Sequence, residues 1–70
     1  MEYRKIAIKE EYIKLDSLLK FSGLAQTGGH AKIVIANGEV KVNGEVCTVR
    51  GRKIRSNDKV EFDNKGIIVE

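Results

Sequence analysis

The stretch Val40-Lys41-Val42-Asn43-Gly44-Glu45-Val46-Cys47 constrains this chain more than any other. A two-residue hairpin loop that matches the twist of its strands needs positive φ at both central positions, which Asn and Gly adopt at little steric cost. The pair Asn43-Gly44 therefore predicts a type I′ hairpin, with Val40, Val42 and Val46 supplying the apolar strand faces.

Upstream of the hairpin the apolar period changes. Leu15, Leu18 and Leu19 fall at i, i+3 and i+4, one face of a helix. Asp16 can cap that helix or favour its positive end, and Gly23 can close it in a left-handed turn. Lys14, Ser17 and Lys20 lie away from the leucine stripe. Thr27 is suited to cap a second helix, in which Ala31, Val34 and Ile35 repeat the spacing and Asn37-Gly38 is the stop. Only a few residues around Gly23 to Gln26 join the two helices, so they must pack as a tight helix-turn-helix pair. Before them, Ile6 and Ile8 alternate with Lys5 and Lys9 and predict a first strand.

After the hairpin, Arg50 to Asn57 reads as a basic loop with Ile54 as its apolar anchor. Val60 and Phe62 alternate with Glu61 and Asp63, and Asn64-Lys65-Gly66 predicts a turn into a last strand at Ile67-Ile68-Val69. The order β-α-α-β-β-β-β is an α+β fold, a two-helix unit on a small antiparallel sheet. Phe21 and Phe62 are expected in the core, Tyr3 and Tyr12 at half-buried edges, and Cys47 as a small buried hydrophobe.

Composition narrows the function. Seventy residues are expected to form one domain, 1–70. The longest apolar run, Ile33 to Ala36, is four residues, far short of the ~20 that cross a bilayer. No apolar stretch follows Met1-Glu2-Tyr3-Arg4-Lys5, and a lone cysteine suits a reducing compartment, so a soluble cytoplasmic protein is expected. One His and one Cys fall short of the usual four zinc ligands. No metal or cofactor is expected, and a core this small leaves little stability for a catalytic cavity. His30 and Cys47 lack a third orienting group for nucleophilic catalysis, so the chain reads as a non-enzyme.

The charge is concentrated. Residues 50–59 hold Arg50, Arg52, Lys53, Arg55 and Lys59 against Asp58, a net of +4 in a chain whose total is +3. A focused basic loop is the footprint of a polyanion binder. The alternative is a solvated, salt-bridged loop.

The set Lys14-Leu15-Asp16, Leu19, Gly23-Leu24-Ala25-Gln26-Thr27, Ala31-Lys32, Ile35 to Gly44 and Ser56 to Val60 resembles the S-four RNA-binding domain, also called the alpha-L motif. The match covers about residues 14–62, and its most specific piece is Gly-Glu-Val-Lys-Val-Asn-Gly directly after a short two-helix unit. The short length and the Thr-Gly-Gly-His-Ala-Lys helix start look most like the small stand-alone bacterial members of the YaaA/YbcJ type. The resemblance implies a surface of two helices, hairpin and loop that grips structured RNA, mainly ribosomal or transfer RNA. Lys14 stands where the family usually has arginine, Thr27 at the usual serine, and Gly28 in place of the arginine that follows it. Lys32, Lys41 and Asn43 fall where the pattern places polar groups near RNA.

Chemistry offers a substitute for the missing arginine. Gly28 and Gly29 leave the helix N-terminus bare, so free N–H groups can approach a phosphate, and His30 can donate to the same oxygen; the alternative is that the glycines only permit a tight interhelical turn and His30 is a surface residue. Arg50, Arg52, Lys53 and Arg55 are expected to track the RNA backbone, because the guanidinium fork matches phosphate oxygens. With Lys14, Lys20, Thr27, Lys32, Lys41 and Asn43 they complete the candidate set. Such contacts position rather than specify, which favours recognition of shape. The expected partner is structured RNA, rRNA or tRNA-like, on its own or in ribosomal particles. The competing reading is a small protein-interaction scaffold; a ubiquitin-like sulfur carrier would end in Gly-Gly, whereas this chain ends Ile67-Ile68-Val69-Glu70. Duplex DNA reading is disfavoured, since Ala31-Lys32-Ile33-Val34 offers only lysine to base edges.

Overall fold

A computed structural model describes residues 2–70. The elements run β1 (Tyr3–Ile6), β2 (Ile13–Lys14), α1 (Leu15–Phe21), α2 (Gly28–Ala36), β3 (Val40–Val42), β4 (Glu45–Val46), β5 (Lys53–Ile54), β6 (Lys59–Phe62) and β7 (Lys65–Val69). Five strands form one sheet in the order β1-β7-β6-β3-β4, and β2 with β5 forms a separate short ladder. Both helices contribute to the core that the inner sheet face completes. Leu15, Leu18 and Leu19 of α1 and Ala31, Val34 and Ile35 of α2 are buried with Val40, Val42, Val60, Ile67 and Val69. The α+β expectation holds.

The sheet is mixed rather than wholly antiparallel. β1 pairs in parallel with β7, from Tyr3 opposite Gly66 to Ile6 opposite Val69. Nearly the whole chain intervenes between these strands, so no tight turn forces them to reverse direction.

Turn chemistry accounts for most of the local geometry. Asn43 and Gly44 have φ of 52° and 87°, as the hairpin requires. That two-residue loop places Val42 opposite Glu45 and Lys41 opposite Val46. Val46 therefore shares the outer face with Lys41 and is 56% exposed, while Cys47 falls on the buried side. The expectation that Val46 joins the apolar face is corrected by counting through the turn, because side chains alternate with period two. The last hairpin turns at Asp63-Asn64, both at positive φ, and not at 64–66, since Phe62 is already opposite Lys65. Gly66 belongs to β7 instead. A Cβ there would sit 2.5 Å from Cδ2 of Tyr3, whose ring lies across that position.

Phe21 is the second correction. It ends α1 with 68% of its surface exposed, because it lies off the Leu15/Leu18/Leu19 stripe on the side of Lys14 and Ser17. Phe62 stays partly buried against the core. Gly23 and Gly38, at φ 83° and 76°, close the two helices as expected.

Candidate nucleic-acid interface

The N-terminus of α1 decides where the basic loop goes. A helix begins with backbone N–H groups that have no partner inside it. Lys14, at the cap position, offers no side-chain bond, and Asp16 turns its Oδ1 to the N–H of Ser17 at 2.8 Å. The loop fills the gap with its own carbonyls: Leu15 N donates to Arg52 O at 2.9 Å and Asp16 N to Arg50 O at 3.1 Å. The β2–β5 ladder continues this strap, placing Ile13 opposite Ile54 and Lys14 opposite Lys53. Ile54 is fully buried and pins the loop to the core.

With the backbone held this way, the side chains of Lys14, Arg50, Arg52, Lys53 and Arg55 are exposed around one end of α1. Like charges directly opposite across a ladder repel, and cations at a helix N-terminus gain nothing from its dipole. Little on the protein relieves this. Among the described residues the single ion pair is Arg55 to Glu11, at 3.3 Å and exposed. Lys14, Arg50, Arg52 and Lys53 have no carboxylate within 4.0 Å among those residues. The salt-bridged reading of the loop thus applies to Arg55 alone. Tyr12 lies beneath two of these cations, with Lys53 Nζ 4.8 Å and Arg55 Cζ 5.9 Å from its ring centre.

The other candidates are dispersed. Thr27 caps α2 by accepting a bond from His30 N at 3.0 Å. Gly28 and Gly29 are exposed, with open space at Gly28 and Thr27 Oγ1 3.8 Å from a Cβ placed on Gly29. His30 does not offer both ring nitrogens outward: its Nδ1 accepts from Gln26 N at 3.3 Å, and its ring meets Phe62 edge-on, centroids 6.2 Å apart. Phe62 ends β6, whereas the basic loop rejoins the sheet beside Lys59 at the other end, about 10 Å away at strand rise. Lys20 and Lys32 are exposed on their helices.

Lys41 lies on β3 and Asn43 in the turn that follows it. The side chain of Asn43 is committed to the protein, its Nδ2 donating to Asp58 Oδ1 at 3.1 Å and its Oδ1 accepting from Lys59 N at 2.9 Å. Lys41 stands opposite Glu61 and Val46 on the sheet face away from the helices. On that face Tyr3 donates its hydroxyl to Glu61 Oε1 at 2.5 Å. The hydrogen bond to Glu61, then burial, then the carboxylate charge raise the phenol pKa above 10.0. The ring of Tyr12 under Lys53 and Arg55 is the component that sequence reasoning missed. A register count from Ile54 opposite Ile13 could have found it.

Among the described residues no group of three or more His, Cys, Asp or Glu side chains could hold a metal ion. Among the same residues no helix is long and apolar enough to cross a membrane.

Two short helices on an open sheet, with a cationic loop strapped to the first helix, are the architecture of a small nucleic-acid-binding module. Residues 6–70 match the S4 domain, and the chain belongs to that family. It is 39% identical over 61 residues to YbcJ of Escherichia coli (strain K12), a protein named for RNA binding, with 87% of each chain covered. It is 41% identical over 61 residues to RlbA of Bacillus subtilis (strain 168), named for ribosome maturation, with 87% of this chain and 86% of that one covered. The solution structure of E. coli YbcJ, described as having an alpha-L motif involved in RNA binding, superposes with a TM-score of 0.71. That match has 36% identity and covers 93% of this chain and 84% of YbcJ.

Proposed function

We propose that this protein binds structured RNA without transforming it, and that its target is ribosomal RNA during ribosome maturation. The observation that carries the reading is the cluster of Lys14, Arg50, Arg52 and Lys53, drawn together by backbone hydrogen bonds and left without carboxylate partners. A folded domain that spends stability on gathering like charges gains most from a polyanion, which neutralises them together. The relatives named for RNA binding and for ribosome maturation support the choice of RNA and of the ribosomal target. The cluster touches phosphates, so it selects the shape of an RNA fold more than its sequence.

The test is binding to a structured rRNA fragment across a salt series. Three to five neutralised phosphates give a slope of log K against log salt of roughly −2 to −5. Reversing Arg52→Glu and Lys53→Glu together is expected to abolish most of the binding and flatten that slope, with the circular dichroism spectrum unchanged. Lys41→Glu, on the other sheet face, is the matched control and leaves binding nearly intact. Binding that ignores salt, or that survives the double reversal, overturns the proposal. Cross-linking in cells followed by sequencing of the attached RNA checks the ribosomal target.

A further inference from the structure

Phe21 stands outside the core. It is the most exposed of the large hydrophobic side chains among the described residues, at 68%. Ser17, one turn before it, is polar and also exposed. Phe21 is also not isolated. It lines an open groove between α1 and the segment before β2, whose walls include Ile8, Tyr12, Ile13, Lys14 and Ser17, with one carboxylate, Glu10, beside Lys9. Ser17 and Phe21 stand at i and i+4 on α1, and Lys14 at the cap position precedes them, so this wall runs from a cation through a hydroxyl to an aromatic ring.

The groove and the cationic cluster share residues. Lys14 stands opposite Lys53 across the short ladder, and Tyr12 carries Lys53 and Arg55 over its ring. The groove thus presents cations at one end and the ring of Phe21 on its wall, which suits a ligand with an anionic part and a flat part. An unpaired nucleotide has both parts: a phosphate and a base with two apolar faces. Bases stack on exposed aromatic side chains in just this way, and structured RNA exposes them at bulges and loops.

We infer that the groove between α1 and residues 7–13 takes an unpaired base of the bound RNA, stacked on Phe21, with its backbone on Lys14 and Lys53. This rests on the RNA-binding reading and adds a preference to it: an RNA helix interrupted by a bulge binds better than a continuous one. The cluster supplies affinity for any structured RNA, and Phe21 chooses where along it the protein sits.

The experiment compares a fully paired RNA hairpin with the same hairpin carrying one bulged 2-aminopurine, a fluorescent base that dims on stacking. The native protein is expected to bind the bulged hairpin about tenfold more tightly and to quench the probe, in line with the usual worth of one base–aromatic stack. Phe21→Ala is expected to remove both the preference and the quench while affinity for the paired hairpin and its salt slope stay unchanged. Phe21→Trp, which keeps an aromatic face, restores them. Equal affinity of the native protein for the two hairpins overturns the inference, as does a preference that survives Phe21→Ala. In either case, salt-dependent binding of the paired hairpin leaves the RNA-binding reading standing and the groove open to a protein partner. Loss of all RNA binding by the native protein is instead the failure of that earlier reading.

Discussion

Ile54→Ala tests whether the basic loop is held to the body of the protein by one side chain. Ile54 is fully buried, the residues on either side of it are exposed, and its strand partner Ile13 packs against the same core. The substitution removes three carbon groups, about 2.4 kcal/mol of transfer free energy at ~0.8 kcal/mol each. The cavity left behind adds to this, for a total of roughly 2–5 kcal/mol. A chain of 70 residues has on the order of 4–10 kcal/mol of stability in all, so the loss is a large fraction of it. Val49→Ala is the control in the same segment: Val49 is 63% exposed, and its truncation is expected to change stability by no more than about 0.5 kcal/mol. Urea unfolding followed by far-ultraviolet circular dichroism reads both, with the slope of free energy against urea held as the check that only stability has changed. A cost below about 1 kcal/mol for Ile54→Ala, or one no larger than that of Val49→Ala, refutes the reasoning. The loop would then be held by its backbone bonds to α1 and by the β2–β5 ladder.

Two further perturbations probe the frame around the site. Thr27→Ala removes the hydroxyl that accepts from His30 N and is expected to lower stability by about 1 kcal/mol, while Thr27→Ser retains it; the shift in urea midpoint decides. The Tyr3 phenol, raised by its bond to Glu61, contributes stability that is fully present below the ordinary value of 10.0. That contribution is lost as the pH climbs through the raised folded-state pKa. In an alkaline absorbance titration Glu61→Ala is expected to bring the Tyr3 midpoint back down toward 10.0, and an unmoved midpoint would show that Glu61 is not the cause.

Much of the fold is legible residue by residue because its signals are local. Asn43-Gly44, Thr27, Gly23 and Gly38 each answer to a backbone dihedral or an unpaired N–H within four residues, and all act as their chemistry predicts. The leucine stripe of α1 and the Ala31/Val34/Ile35 stripe of α2 are likewise periodic, and both are buried. Phe21 was misread because hydrophobicity alone assigns it to the core. Its angular position on α1 puts it off the leucine stripe, one turn beyond Ser17, on the groove wall.

The candidate site divides along the same line. The excess of positive charge in residues 50–59 is a property of the chain and needs no coordinates. Its partners do. That Lys14 meets Lys53, that Arg50 and Arg52 turn their carbonyls to α1 and that Tyr12 lies under two cations all depend on a pairing between segments some forty residues apart. Lys41 and Asn43, equally polar in sequence, differ in setting: β3 turns Lys41 to the outer sheet face, and Asn43 is bonded to Asp58 and Lys59. The amino-acid order settled the two helical stripes, the Asn43-Gly44 turn and the sign of the charge, because each follows from neighbours along the backbone. Only the folded arrangement decided which charges stand together, because distance through space is set by long-range packing and by strand register.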